Sequence, residues 1–279
     1  MITVIDRTLS VLKNPSSPAA LKRLADAILA SGADVLELSE ENYRILSQEK
    51  TDGRRCLLRL ERGSTPAGFP GVKRFVSTGS ASGNVVMSEE YIVKNLDLLL
   101  SGAVPAVLRP VRLSLSTPEV DCSPATLFSV IRETFLGHIE FAPHGDSGVA
   151  TSLCAEWALT DGNMPVTTVA GVGGYASLSD LTVFLRSIRR RRPAEEQLSD
   201  VELLERLREA FPNETVEHAE MKVSPSSSIH ILKFRLEQLG FGGSPAKLKT
   251  LSSKIRAGHR TPSPYLDGEA IYAVSRQID

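Results

Sequence analysis

Over its first 190 residues the chain repeats one unit, a short apolar run followed by a helical stretch, and few folds accept that rhythm. Strands are predicted over residues 2–6, 34–38, 56–60, 73–77, 107–115, 138–142 and 166–170. Runs this short, separated by helices, build a parallel sheet covered by helices. Ser17-Pro18 opens the first helix, with Leu21, Leu24 and Ile28 at helical spacing and Gly32 behind it. Ser88 with Glu89 and Glu90 opens a second that runs to Gly102, and Ser123-Pro124 opens a third that runs to Gly137. Residues 147–162 and 178–190 complete the set. Seven strands fall one short of a closed (β/α) barrel, so the expectation is a shortened TIM-like α/β barrel. Either one unit is missing or an irregular stretch replaces it, within 62–71 or 116–123, stretches rich in Pro, Gly and Ser or turn-like.

Beyond residue 190 the alternation stops. Pro193 follows a basic run, and amphipathic helices are predicted over 194–210, 229–240 and 244–255. The chain thus divides into a barrel over 1–190 and a mainly helical subdomain over 191–279, with a protease-sensitive joint near 189–196. At 279 residues, 42% apolar and 23% charged, it can bury a large core without disulfides. Lys and Arg number 32 against 33 Asp and Glu, which excludes a broad nucleic-acid surface. Cys56, Cys122 and Cys154 form no CxxC pair and read as buried thiols in a reducing compartment. The chain opens on a strand rather than a signal peptide, and no run approaches the roughly 20 apolar residues of a membrane span. A cytoplasmic protein without membrane partners is expected.

Two stretches carry chemistry. His144-Gly145-Asp146-Ser147-Gly148-Val149-Ala150-Thr151 follows one predicted strand, and Val166-Thr167-Thr168-Val169-Ala170-Gly171-Val172-Gly173 spans the next. Barrel sites gather at the carboxyl ends of strands. There the imidazole of His144 can offer a neutral nitrogen to a metal, and Gly171, Gly173 and Gly174 let backbone and ligand approach closely. Ser177 and Asp180 suit a helix cap whose N-terminus favours an anion. A dinucleotide loop at 171–174 would need a further glycine and a place in the first βα unit, and has neither. The arginines from Arg186 to Arg192 suit the solvated last turn of a helix, or phosphates such as those of an acyl-CoA.

In register across both stretches, the sequence resembles the paired signature of the isopropylmalate synthase, homocitrate synthase and hydroxymethylglutaryl-CoA lyase family, His-x-His-Asn-Asp-x-Gly-x-Ala and then Thr-Val-x-Gly-x-Gly. Asp6-Arg7-Thr8-Leu9 is similar to that family's first strand, Asp-Thr-Thr-Leu-Arg-Asp-Gly, and the segment ending in Glu37-Leu38 to its second. Residues 229–240 resemble a helix of the synthases' helical subdomain. The resemblance implies a divalent cation, Mg²⁺ or Mn²⁺, that polarises the carbonyl of a 2-oxo acid for attack by an enolised acyl-CoA, or the reverse reaction. It implies that Glu37 orients a catalytic arginine, that His144 is a metal ligand and that Gly171 and Gly173 meet the ligand. Asp6 and Asp146 lie beside these positions and are further candidates, Asp6 for catalysis and Asp146 for ligand binding. A homo-oligomer, or a partnership with an active paralogue, is also implied.

The departures matter as much. The arginine position is Ser10, the aspartate position after it Val11, and the first histidine position Ala142. No Asn follows Gly174-Tyr175-Ala176. Only His144 remains of the ligand set, and one imidazole holds Mg²⁺ or Mn²⁺ poorly. Two functions stay open: an enzyme that makes or breaks a carbon–carbon bond between a 2-oxo acid and an acyl-CoA, and a non-catalytic homologue that keeps the barrel as a binding or regulatory module.

Overall fold

A computed structural model describes residues 2–49, 55–61, 64–69, 72–77, 86–93, 96–102, 104, 106–117, 122–160, 162, 164–188, 198–216, 220–241, 245–258 and 265–275. In its first half β1 (Ile5–Asp6), α1 (Thr8–Val11), α2 (Pro18–Ala30), β2 (Val35–Leu38), α3 (Glu40–Gln48), β3 (Cys56–Arg59), β4 (Arg74–Ser77), β5 (Val86–Val93) and α4 (Leu96–Leu100) follow one another. Then come β6 (Val111–Ser116), α5 (Pro124–Thr134), β7 (Ile139–His144), α6 (Ser147–Leu159), β8 (Val166–Thr168), β9 (Ala176–Ser177) and α7 (Leu178–Ser187). All strand pairs are parallel, in the order β7-β6-β5-β4-β3-β2-β1-β8-β9. A bridge from Phe141 to Pro165 and a bond from Phe141 N–H to the Met164 carbonyl at 2.9 Å join β7 to β8. Strands β1 to β8 therefore run in chain order around a barrel, with β9 added beside β8.

The eighth strand is β5, and this corrects the sequence reading in two ways. The described strands β1 to β8 complete the ring, so no strand is missing. The helix expected from Ser88 begins only at Leu96, because Ser88, Glu89 and Glu90 belong to β5. Ser88 and Glu90 point into a polar barrel interior: Ser88 Oγ donates to Glu140 Oε1 at 2.9 Å, and Glu90 accepts from Arg59 and Ser114. Inward polar residues at period two imitate the acidic first turn of a helix. An irregular stretch does stand in the β3–β4 connection, whose described part holds one 3₁₀ turn, Pro66–Gly68.

One apolar layer, Ile5, Val35, Leu57, Val76, Ala142 and Val166, plugs the barrel. The opposite strand faces supply Leu36, Leu58, Phe75, Leu113 and Phe141 to the core beneath the helices. Beyond the barrel lie α8 (Asp200–Ala210), α9 (Ile229–Gln238), α10 (Pro245–Gly258) and α11 (Gly268–Ser275), with a bridge between Val223 and Leu266. They bury Leu203, Leu207, Phe211, Ile231 and Leu236 in the barrel's own outer core rather than in a separate one. Helix α8 lies on α2, where Arg23 pairs with Glu209 and Ser16 N–H donates to the Ala210 carbonyl at 2.7 Å. Phe234 of α9 meets Phe184 of α7 edge-on, with ring centres 5.3 Å apart. The joint expected near 189–196 lies outside the described residues. Cys56 and Cys154 are buried and Cys122 is half-buried, all as free thiols. Among the described residues no helix is long and apolar enough to cross a membrane.

Candidate functional site

Asp6 ends β1, Glu37 is the penultimate residue of β2 and His144 ends β7, so all three stand at the carboxyl end of the barrel. The single turn of α1 continues directly from β1 and packs beside β2. Thr8 N–H donates to Asp6 Oδ1 at 3.0 Å, which bends the chain into that turn. Asn42 Nδ2 clamps its far end by donating to the carbonyls of Leu9 and Leu12 at 2.8 and 3.0 Å. Asp6 is buried and also faces the Thr167 hydroxyl at 3.4 Å. Burial drives its carboxyl up to about 7, against those hydrogen bonds and with help from the charge of Glu37.

Glu37 lies at the centre of three arginines. Its Oε2 accepts from Arg112 at 2.5 Å, while Oε1 accepts from Arg59 at 2.8 Å and from Ser10 Oγ at 2.8 Å. Arg7 Nε stands 3.8 Å from Oε1. Burial alone would raise the Glu37 carboxyl, but the charges of Arg112, Arg7 and Arg59 outweigh it and hold the group well below the carboxylate range. The network continues down the barrel. Arg112 Nε donates to Glu140 Oε2 at 2.8 Å, and Arg74 Nη2 reaches Glu140 Oε1 at 3.3 Å. Towards the rim, Arg59 grips Glu90 with both terminal nitrogens at 2.7 and 3.0 Å. Glu37 thus pairs with the guanidiniums of Arg7, Arg59 and Arg112, and at the position of Ser10 it meets a hydroxyl.

His144 Nδ1 lies 2.8 Å from the Leu115 carbonyl, and its ring stacks on Tyr175 with centres 5.5 Å apart and planes 15° apart. The Arg7 guanidinium covers the same phenol, 4.3 Å from its centre. Glu37, Arg7, Tyr175 and His144 therefore form one continuous rim. Asp146 is differently engaged. It caps α6 by accepting from Val149 N–H at 3.1 Å and pairs with Lys222 at 2.6 Å. Gly171 has φ +77°, and the room its missing side chain leaves is filled by Ser147, whose Oγ would stand 1.8 Å from a Cβ. Gly173, at φ +68°, faces Tyr175 and Val11. Gly171→Ala is expected to lower the unfolding free energy by about 2 kcal/mol, from left-handed backbone strain and displacement of Ser147. Urea denaturation measures this, and an unchanged midpoint would contradict it.

The side chains present do not fit Mg²⁺ or Mn²⁺. Ser10 is committed to Glu37, Val11 and Ala142 carry no donor, and Ala142 belongs to the apolar plug. Arg7 adds a fixed positive charge against the ring that stacks on His144. Among the described residues no three His, Cys, Asp or Glu side chains gather as a metal site.

Neither a family model nor a curated protein sequence matches this chain. Solved structures do. The HMG-CoA lyase of Brucella melitensis superposes over 74% of this chain and 95% of its own, at 11% identity and a TM-score of 0.51. The N-terminal domain of a candidate aldolase from Bacteroides vulgatus covers 74% of this chain and 85% of its own, at 12% identity and the same TM-score. The likeness is one of fold, the TIM-like barrel of these proteins.

Proposed function

We propose that this chain is a divergent relative of the HMG-CoA lyases and the isopropylmalate and homocitrate synthases, in which an arginine has replaced the divalent cation. In this reading it binds a small carboxylic acid at the barrel mouth but does not join it to an acyl-CoA. The observation that carries the reading is Arg7, whose buried guanidinium sits between Glu37 and Tyr175 where the donors for a cation are missing. A guanidinium fixes a carboxylate through paired N–H donors and needs no metal. A binding or regulatory role, alone or beside an active paralogue, follows from this.

A second reading keeps the carbon–carbon chemistry of a 2-oxo acid and an acyl-CoA. Asp6 favours it, since a buried carboxyl raised to about 7 at a barrel rim is suited to proton transfer. Thiol release from acetyl-CoA separates the two. With pyruvate, 2-oxoisovalerate or 2-oxoglutarate, and Mg²⁺ or Mn²⁺ supplied, the chain is expected to show no turnover above background. Loss of one oxyanion stabiliser alone typically costs about 10²–10³ in rate. Turnover that requires both added metal and His144, with His144→Ala as control, would establish the second reading. Metal analysis of the purified chain is expected to find no stoichiometric Mg or Mn.

A further inference from the structure

Resting on that carboxylate-binding reading, we infer that the barrel mouth selects a small 2-hydroxy acid over the matching 2-oxo acid, with Arg7 holding the carboxylate and His144 Nε2 accepting the hydroxyl hydrogen.

The carboxylate half stands on two observations. Arg7 is 6% exposed, and its Nε and Nη1 have no hydrogen-bond partner among the described residues. Buried guanidinium donors left unpaired are costly, and a carboxylate can accept from either of them together with Nη2, along the Nε/Nη2 or the Nη1/Nη2 edge. The second observation is the balance of charge. Four guanidiniums on the barrel's interior and rim, Arg7, Arg59, Arg74 and Arg112, meet three carboxylates, Glu37, Glu90 and Glu140. Arg59 and Arg112 are each held at 2.8 Å or closer and Arg74 at 3.3 Å, so the surplus positive charge falls to Arg7. Asp6 does not cancel it, because its oxygens face Thr8 and Thr167 and its carboxyl titrates only near 7.

The hydroxyl half stands on the histidine. A carbonyl can only accept, so the contact with Leu115 places a hydrogen on Nδ1, and Nε2 is the ring nitrogen left to accept. An acceptor at that point meets a hydroxyl favourably, whereas a 2-oxo oxygen would set lone pair against lone pair. Arg7 and His144 both adjoin the Tyr175 ring, and we take one small molecule with a carboxylate and a hydroxyl on neighbouring carbons to meet both. A mismatched polar contact in a closed site discriminates by about tenfold or more.

The test is titration calorimetry on the whole chain in EDTA, with lactate (both enantiomers) against pyruvate and 2-hydroxyisovalerate against 2-oxoisovalerate. Each hydroxy acid, in one enantiomer, is expected to bind at least about tenfold more tightly than its oxo partner. His144→Phe should keep carboxylate binding and bring each pair within about twofold. Arg7→Met should abolish binding of all four acids. Arg7→Lys, which keeps the charge without the fork, should bind weakly with the hydroxy preference intact, and it carries the test if the methionine variant does not fold. Equal affinity within each pair, a preference for the oxo acid, no binding at all, or a hydroxy preference that survives His144→Phe would each overturn the inference. Binding that appears only when Mg²⁺ or Mn²⁺ replaces EDTA would overturn the metal-free reading instead, whichever acid is favoured.

Discussion

Arg112→Met is expected to lower the unfolding free energy by about 3–5 kcal/mol at pH 7. The arginine is fully buried, within 2.5 Å of Glu37 and 2.6 Å of Glu140. Burial would by itself weaken its charge, but the two carboxylates outweigh burial and hold it protonated. Methionine fills a similar space and leaves both carboxylates facing a low-dielectric interior with one cation fewer. The cost is therefore that of stranded charge more than of a lost bond. Adding Glu140→Gln should return part of it, since one stranded charge is then gone. Acid should narrow the gap too. Glu37 is depressed in the folded state, so its stabilisation is present above its unfolded pKa and is lost as pH falls through the lower folded value. Without Arg112 that contribution shrinks, and the two proteins converge on acidification. Urea denaturation at pH 7 and pH 4 reads both effects. A deficit under about 1 kcal/mol at pH 7 would mean that water reaches these carboxylates.

Asp6→Asn should act in the opposite direction, raising stability by up to about 4 kcal/mol at pH 8 and changing little at pH 4. The folded-state carboxyl of Asp6 is raised to about 7 from 3.8. Between those values the unfolded chain releases the proton while the folded chain retains it. The unfolded state then binds fewer protons, so stability falls as pH rises from about 4 to 7 and is level above that. Asparagine still accepts from Thr8 N–H and carries no charge to bury. Denaturation of both proteins across that range is expected to give diverging curves, and parallel curves would show a carboxyl in contact with solvent. A carboxyl held protonated by burial near neutral pH is what the proton-transfer reading of Asp6 requires, so the same curves bear on that reading.

Much of the barrel was legible because apolar strands of period two and helices with Ser-Pro or Ser caps are local signals. Ser17, Ser123 and Ser177 do cap their helices, accepting from Ala20, Thr126 and Asp180. The strand at Val86–Val93 was hidden by its own function in the core. Ser88 and Glu90 belong there only because Arg59, Ser114 and Glu140 lie across from them, and such long-range pairing leaves no local trace. At two residues, Ala176–Ser177 is too short for any periodic signal. His144 and Glu37 were found as rim residues from the strand ends they occupy. Arg7 carries no such signal, because Ser10 is the position aligned with the family's arginine and Arg7 precedes it as the residue that leads into the short helix. Arg59, Arg74 and Glu140 had a visible signal, a lone charge two residues from an apolar one on the same strand (Leu57, Val76 and Ala142), which marks an inward position, whereas Arg112 shares its face with Ser114 and Ser116. Tyr175 had none.

The order of the strands has a consequence for how the binding rim comes into being on the ribosome. Strands β1 to β7 emerge in the sequence in which they pair, and until residues near 170 are made, β1 and β7 are the two open edges of a curved sheet. β8 is the keystone, pairing Val166 and Thr167 with Ile5 and Asp6 on one side and meeting Phe141 through Pro165 on the other. Arg7 follows the first edge, His144 ends the second, and Tyr175 arrives just behind the keystone. A nascent chain that ends before Tyr175 therefore lacks the assembled rim, and on the reading proposed above capture of a carboxylic acid would report that β8 has closed the ring.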